Sequence, residues 1–413
     1  MRNPLLEQIC KNLLNIQGFS IKNSEDACRI ADGAIIIKVE STKPNICPEC
    51  NKSVPIYDHR KTTIHHGVFN NRPVFLEIYL RRFNCKDCGI KTELHEIFMA
   101  NEHYSEDIKY YVSFLSEKMS NKQVSDITSI PPSTVYSIDK RELEKREVKS
   151  KISIPAVKRA SIDEIGYKRG HKYATVLLNS DDCKIIDISK GKSKASAEEL
   201  FNKYCYALSS LESISMDFSP SYINAALERW NCNCIVFDKF HFSKLVNRAV
   251  EGVRREIQKM FDDDDRIKCK KQVRWLMLRR EKNFEASHYE RLEQLKDLNS
   301  DLYEVYILKE DLLSLFDGNH NRIDAKLYLL DWIKQARNTS YRHFHTLSKS
   351  IEKRLDLITN WFERRVTNAK AEATNNHIRT LIKRAYGYKS FEYFRLKVLQ
   401  ACGYLNLSVT HST

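Results

Sequence analysis

The segment Ala160-Ser-Ile-Asp-Glu-Ile-Gly166 opens the part of the chain that decides the fold. Its apolar residues alternate with polar ones, which is typical of a half-buried strand. Two more strand patterns follow, then a helix, a strand, a helix and a fifth strand, which is an α/β order. The strands are predicted at 160–166, 173–179, 184–189, 213–218 and 234–238, and the helices at 195–208 and 220–230. We therefore predict an α/β core built on a mixed five-stranded sheet.

The segments around this core have different patterns. Residues 242–365 are charged, Leu-rich and helical in pattern, which predicts an all-α insertion, and two further helices close the chain. The predicted parts are an N-terminal segment (1–40), a cysteine module (41–95), a helical module with a linker (96–150), the first part of the core (151–241), the insertion (242–365) and the returning part of the core (366–413).

The composition points to a polyanionic partner. The chain has 413 residues, with 68 Lys and Arg against 54 Asp and Glu, a formal charge of +14. The net charge is +5 in residues 43–91, +4 in 141–160 and +6 in 361–400, and −1 over the rest of the chain. Such basic patches favour nucleic acid as the partner.

The same composition excludes other classes of protein. A hydrophobic fraction of 42% excludes wholesale disorder, and the absence of an apolar run of about 18 residues excludes a transmembrane helix. The first residues lack the pattern of a secretory signal. We therefore expect a cytoplasmic protein without a membrane partner, whose twelve cysteines are reduced.

Two cysteine pairs predict a metal site. Cys47-Pro-Glu-Cys50 and Cys85-Lys-Asp-Cys88 are separated by 34 residues. A tight turn brings positions i and i+3 together, so each pair can place two thiolates on one ion, and four thiolates complete a closed tetrahedral Zn²⁺ site. Such a site is structural and not catalytic. The alternative is four unrelated buried thiols.

A helix pair follows the cysteine module. Residues 120–130 and 133–143 have helical patterns, and Pro131-Pro132 separates them. The apolar residues of the second helix, Val135 and Ile138, are predicted to face inward. The layout is that of a helix-turn-helix with a polar, basic second helix suited to the major groove. An ordinary helical hairpin is the alternative. The residues predicted to face DNA on this helix are Ser133, Thr134, Tyr136, Ser137, Lys140 and Arg141.

Two aspartates lie within predicted core strands. Asp163 lies inside the first strand and Asp217 near the end of the fourth. A carboxylate in a core strand costs desolvation energy unless it binds something, and two on neighbouring strands repel unless cations lie between them. The alternative is that each caps a strand end.

A late helix supplies a third carboxylate. At 100° per residue, Glu372 shares a face with two amides and two cations, opposite an apolar face. An amphipathic surface helix is the alternative. With Asp163 and Asp217, this glutamate suits two-metal phosphodiester chemistry, in which two Mg²⁺ or Mn²⁺ ions about 4 Å apart activate the attacking oxygen and stabilise the leaving one. The other polar residues of this face are Asn375, Asn376, Arg379 and Lys383.

At this point the chain resembles insertion-sequence transposases of the ISL3 family, within the DDE transposases. The resemblance covers nearly the whole chain and includes the cysteine module and the helix pair. Its other motifs are Ser161-Ile-Asp-Glu-Ile165 with Gly170-His-Lys-Tyr173, Ser215-Met-Asp-Phe218, Val236-Phe-Asp-Lys-Phe-His241, and Arg384-Ala-Tyr-Gly-Tyr388 followed by Phe391-Glu-Tyr-Phe-Arg-Leu396. The resemblance implies an RNase H-like core with Asp163, Asp217 and Glu372 as the metal-binding catalytic triad.

The resemblance also implies a function. We expect a DNA transposase that binds the terminal inverted repeats of its element through residues 1–145, cuts at the element ends and transfers the strand to target DNA. Asn376, Arg379, Lys383 and Arg384 are expected to contact that DNA. Synapsis of two ends implies at least a homodimer. The alternatives are a non-catalytic DNA-binding regulator derived from a transposase and a stand-alone RNase H-like nuclease.

Overall fold

The computed structural model describes residues 14–22, 26–98, 102–150, 154–261, 273–365 and 369–405. They form two compact units. The first unit contains the described part of the chain up to 150, together with Leu381–Ala401 and Leu405. The second contains the described part of 154–380, together with Cys402–Tyr404. In the described residues, no helix is both long and apolar enough to cross a membrane.

A six-stranded sheet forms the first half of unit 1. Its main path is β1-β3-β5-β4, with β2 on β3 and β6 on β5. The long strands β4 and β5 are joined by Asn70-Asn71, both with positive φ (48° and 58°), as a two-residue hairpin turn requires. The described part of the predicted segment 1–40 is thus continuous with the cysteine module in one sheet. The strands are β1 Phe19–Ile21, β2 Cys28–Ala31, β3 Ala34–Ser41, β4 Ile56–Phe69, β5 Arg72–Cys85 and β6 Gly89–Thr92.

Three helices follow this sheet in unit 1. They are α1 Glu106–Lys118, α2 Asn121–Thr128 and α3 Pro132–Ser150. A capping box of Ser120 and Gln123 starts α2, and Ser129, in the left-handed region with φ 58°, ends it. The predicted helix pair is therefore present, with a three-residue turn at 129–131. Its core consists of Ile108, Val112, Val124, Ile130, Val135 and Ile138.

The last helix, α14 (Phe391–Cys402), packs in unit 1 through a buried ion pair. Asp139 of α3 is fully buried and accepts from Lys397 Nζ at 3.0 Å, Tyr393 Oη at 2.7 Å and Ser113 Oγ at 2.8 Å. The sequence pattern assigned residues 366–413 to the α/β core, whereas the structure groups Leu381–Ala401 with unit 1. Buried polar contacts that join distant parts of the chain leave no periodic signal in the sequence.

The second unit is built on the predicted five-stranded sheet. Its order is β11-β10-β7-β8-β9, in which β11, β10 and β7 are parallel while β8 and β9 are antiparallel to their neighbours. Two helices, α4 (Lys194–Lys203) and α5 (Pro220–Leu227), connect the later strands. The strands are β7 Arg159–Lys168, β8 Lys172–Asn179, β9 Lys184–Lys190, β10 Ser213–Met216 and β11 Ile235–Phe237.

A helical segment, α6 to α12, follows β11 and shares one hydrophobic core with the sheet. Asp238 caps its first helix by accepting from the backbone N of Phe240 at 2.9 Å. The next helix, α13, continues from unit 2 into unit 1. The helices are α6 Lys239–Gln258, α7 Arg274–Leu278, α8 Ala286–Leu298, α9 Ser300–Ser314, α10 Arg322–Asn338, α11 Arg342–Glu352, α12 Leu355–Arg364 and α13 Ala369–Arg384.

Candidate active site and metal centre

Four cysteine thiols converge in unit 1. Cys47 and Cys50 lie on the turn between β3 and β4, and Cys85 and Cys88 on the turn from β5 to β6. Gly89, with φ 74°, closes that second turn opposite Cys85. The four Sγ atoms lie within 4.8 Å of one another, close to the edge of about 3.8 Å that a Zn–S tetrahedron with bonds of about 2.3 Å has. The thiols therefore fit a structural zinc ion.

The electrostatics of these thiols are uneven. Backbone N–H groups of Cys50 and Glu49 lower the pKa of Cys47 to about 7. Burial and the neighbouring Cys50 thiol raise the pKa of Cys88 to about 12. When four thiols lie this close together, ionisation of one disfavours ionisation of the others. A divalent cation among them would favour the thiolate form of each.

Two carboxylates lie side by side on the sheet of unit 2. β10 and β7 run parallel, with Ser215 opposite Ser161. Continuing this register by two residues brings Asp217, directly after β10, level with Asp163 in β7. Both are half-buried, Asp163 in the middle of β7 and Asp217 at the carboxyl end of β10, the kind of strand end at which α/β sheets bind ligands. The sheet thus joins two carboxylates that are 54 residues apart in the sequence.

Burial and a neighbouring negative charge act on both carboxylates. Burial raises the pKa of Asp163, and the neighbouring charge of Glu164 adds to the increase. Burial also raises the pKa of Asp217, and the charge of Asp163 raises it further. Each accepts one backbone hydrogen bond, Asp163 from Glu164 N at 2.8 Å and Asp217 from Ser219 N at 2.9 Å. A nearby cation would relieve both effects.

The helix α13 meets this site through an amide. Asn375 Nδ2 donates to Asp163 Oδ2 at 2.7 Å, and Asn375 is buried, whereas Glu372, one turn earlier, is exposed. The sequence placed both residues on the polar face of this helix, and the structure directs Asn375 of that face to Asp163 while Glu372 is exposed. Among the described residues, only the four cysteines form a group of three or more metal-binding side chains within 4.8 Å. Asp163, Asp217 and Glu372 do not form such a group.

A histidine that sequence reasoning missed also acts on the two aspartates. The charge of His241, in the first turn of α6, partly offsets the increase in the pKa of both Asp163 and Asp217. Its Nε2 lies 3.9 Å from Oδ2 of Asp238, which follows β11 as Asp217 follows β10. The spacing Asp-Lys-Phe-His directly after a predicted strand could have indicated this residue.

The residues predicted to face DNA on α3 divide into two groups. Ser133, Ser137 and Arg141 are exposed, one turn apart, and Arg141 forms an ion pair of 3.1 Å with Glu102. Thr134, Tyr136 and Lys140 are half-buried, and Lys140 lies 3.5 Å from Glu144.

Tyr136 departs from its predicted exposure because its ring packs edge-on against Tyr393, with centroids 4.7 Å apart.

The predicted DNA-facing residues of α13 also differ from one another. Asn376, Arg379 and Lys383 are exposed, and Arg379 donates to Asn376 Oδ1 at 2.6 Å. Arg384 is half-buried, and its guanidinium donates to the carbonyl of Glu117 at 2.8 Å. Through this contact the guanidinium of Arg384 packs within unit 1. The positive charge of the residue gave no indication of this packing role.

Known protein families match both halves of the chain. A transposase family model of the ISL3 group matches residues 160–398, and a model described as the zinc-finger of transposase IS204/IS1001/IS1096/IS1165 matches residues 43–88. The second match agrees with the four-thiol cluster and indicates a zinc ribbon.

Two curated relatives cover most of the chain. The transposase for insertion sequence element IS1001 of Bordetella parapertussis is 24% identical over 354 residues, 85% of this chain and 83% of the relative. The transposase for insertion sequence element IS1557 of Mycobacterium tuberculosis is 24% identical over 399 residues, 87% of this chain and 86% of the relative. With a family model that spans more than half of its residues, the chain belongs to the ISL3 family of transposases.

Proposed function

We propose that this transposase binds the terminal inverted repeats of its own element and catalyses metal-dependent cleavage and strand transfer of DNA. The observation that carries the proposal is the pair of half-buried carboxylates, Asp163 and Asp217, level on neighbouring parallel strands, each with a pKa raised by burial. A structural role would not need two like charges so close together. The sheet order β11-β10-β7-β8-β9 supports an RNase H-like fold for this unit.

The oxygen-only donors suit Mg²⁺ or Mn²⁺. Asp163 and Asp217 would hold the ions, and Glu372 would complete the set after a change in its exposed side chain. When bound, such ions polarise the attacking oxygen and neutralise charge on the leaving oxygen. Asn375 donates a hydrogen bond to one oxygen of Asp163. This bond fixes the orientation of the carboxylate before metal or DNA binds.

The remaining residues would position DNA. Arg379 and Lys383 lie on the exposed side of α13, the helix that carries Glu372, and would hold phosphate groups by charge. In unit 1, the exposed stripe Ser133, Ser137 and Arg141 on α3 would enter the major groove as the second helix of a helix-turn-helix. Two ends must be held together for transposition, so we expect at least a homodimer on DNA.

The test uses duplexes that carry the inverted repeats flanking the gene. Wild-type protein is expected to bind them and, with Mg²⁺ or Mn²⁺, to cut at the element end and join the freed 3′-hydroxyl to target DNA. Asp163→Asn and Asp217→Asn should keep binding and lose cutting. Cutting by Asp163→Asn at the wild-type rate would show that the catalytic assignment is wrong.

Two other outcomes favour the alternatives. Binding without cutting by wild-type protein, with either metal, would indicate a regulator derived from a transposase. Cutting without joining would indicate a nuclease. Gel analysis of labelled ends separates cut from joined products.

A further inference from the structure

A groove on the helical segment of unit 2 has features of a binding site outside the carboxylate pair. Its volume is about 390 Å³, at the lower end of pockets that hold small ligands. An exposed tryptophan, Trp275 on α7, forms part of its wall, with 68% of its surface accessible. The described residues that line the groove are Trp275, Leu276, Leu278, Arg279, His288 and Arg291.

We infer that this groove binds an unpaired stretch of DNA, with one base stacked on Trp275 and the adjoining phosphates held by Arg279 and Arg291. The inference rests on the proposed function, since it takes DNA as the substrate. A large aromatic ring exposed beside cations is the arrangement that binds single strands, because every base has a face that can stack. Bases inside a duplex are already stacked on their neighbours, so only an unpaired strand can offer that face.

The charge of the groove fits this ligand. Arg279 and Arg291 are both exposed, and no carboxylate occurs among the described residues that line it. The guanidinium of Arg274 lies 5.2 Å from the centroid of the Trp275 ring, while its Nε pairs with Glu251 at 3.4 Å. The positive charge of the lining therefore comes from Arg279 and Arg291. The lining is therefore complementary to a phosphodiester strand.

The support under the groove is rigid. Lys309 of α9 is completely buried and donates to the carbonyl oxygens of Met277 at 2.9 Å and Arg279 at 2.7 Å, which ends α7. Its charge is balanced by Glu310 Oε1 at 2.7 Å, and Glu310 in turn accepts from Arg280 at 3.1 Å. A buried ion pair thus holds the turn that carries Arg279 and follows Trp275.

The part of the lining that α8 contributes is also ordered by packing. His288 of α8 stacks on Phe284 with centroids 5.3 Å apart, and Phe284 stacks on the buried Tyr306 at 5.8 Å. Glu285 N donates to His288 Nδ1 at 3.1 Å, which sets the orientation of the ring. These contacts hold His288 in place beside Arg279, whose guanidinium it contacts.

The experiment measures binding of full-length protein to two fluorescent probes by anisotropy, an oligothymidine of about 20 nucleotides and a duplex carrying the element end. Trp275→Ala is expected to weaken binding of oligothymidine about tenfold or more and to leave duplex binding unchanged. Trp275→Tyr, which keeps an aromatic face, should retain most of the affinity. Ile323→Ala, which trims an equally exposed apolar side chain on α10, is the matched control and should behave as wild type.

The outcomes separate this inference from the proposed function. If Trp275→Ala binds oligothymidine as tightly as wild type, the inference is wrong, while duplex binding and end cleavage would still support the transposase reaction. If Trp275→Ala instead changes the molar mass measured by light scattering and leaves both DNA affinities intact, the groove seats a second copy and the inference is equally wrong. Failure of wild-type protein to bind either probe would overturn both proposals.

Discussion

Asn375 donates a hydrogen bond of 2.7 Å from its Nδ2 to Oδ2 of Asp163, the carboxylate in the middle of the first strand of the five-stranded sheet. The two residues are 212 positions apart. The bond ties α13 to the sheet within unit 2, although the whole helical segment separates the two elements in the chain.

This bond predicts a positioning role for Asn375. Asn375→Ala should reduce the rate of end cleavage by about 10- to 100-fold and raise the Mg²⁺ concentration needed for half-maximal rate, because partners that orient metal ligands have effects of that size. DNA binding should not change. His377→Ala, at an exposed position of the same helix, is the control.

A second variant at this position gives a sharper readout. Asn375→Asp would place another carboxylate against Asp163, raise the pKa of Asp163 further and move the acidic limb of the cleavage rate to higher pH. A rate profile equal to that of wild type in both variants would show that the amide only packs.

The four thiols predict that unit 1 depends on zinc. The pure protein should contain one zinc ion per chain, and chelation should lower its melting temperature by roughly 10 °C or more, because a closed thiolate site contributes directly to folding. Cys85→Ser should have the same effect, since Cys85 is buried in the cluster.

Cys183→Ser is the matched control, since this cysteine lies in unit 2 and not in the cluster. Retention of zinc by Cys85→Ser would contradict the assignment. Mass spectrometry measures the metal content, and scanning calorimetry measures the melting temperature.

The buried pair Asp139–Lys397 predicts a large loss of stability. Asp139 has no exposed surface and Lys397 has 3%, so Asp139→Ala leaves a buried ammonium without its carboxylate. The free energy of unfolding should decrease by about 3–5 kcal/mol, as for other broken buried pairs. Urea denaturation measures this decrease.

An exposed pair provides the comparison. Asp126→Ala breaks the surface ion pair with Lys122 on α2 and should cost less than about 1 kcal/mol. Equal losses in the two variants would mean that burial does not govern the energy of these pairs.

The buried His65 predicts a pH dependence of stability. Burial lowers the pKa of His65 to about 4, below the value of 6.5 that an exposed histidine has. Above pH 6.5 the ring is neutral in both states, and its contribution to stability is complete. As the pH falls from 6.5 towards 4, the unfolded chain binds a proton that the folded chain does not, so stability falls with a slope of at most about 1.4 kcal/mol per pH unit.

His65→Gln should reduce this slope, as measured by urea denaturation at several pH values between 4 and 7. His59→Gln, at an exposed position of the same strand, leaves the buried ring in place and should keep the wild-type slope. Identical slopes for all three proteins would count against the role of His65.

The exposed cations of α13 predict a selective defect. Affinity for DNA should fall steeply with salt, and Arg379→Ala with Lys383→Ala should reduce the slope of log affinity against log salt by about 2. Cleavage should be impaired more than end recognition, because these residues share a helix with Glu372. Loss of recognition with normal cleavage of bound ends would contradict this placement. Filter binding over a salt series and single-turnover cleavage distinguish the two effects.

The sequence by itself determined the features that depend on neighbouring residues. The cysteine pairs were recognisable because a metal knuckle needs only positions i and i+3. The five strands and the α2–α3 helix pair were recognisable because alternation and helical periodicity are local patterns. Asp163 and Asp217 could be chosen because a charge within an apolar strand is locally anomalous.

Only the tertiary structure decided which helix faces meet other elements. Periodicity put Asn375 on the same face as Glu372, but the packing of α13 on the sheet turned Asn375 inward and left Glu372 exposed. In the same way, Tyr136 packs on Tyr393 and Arg384 binds the carbonyl of Glu117. A helical pattern shows which side chains share a face. The element that packs on that face is set by contacts between residues hundreds of positions apart. Such contacts produce no local pattern in the sequence.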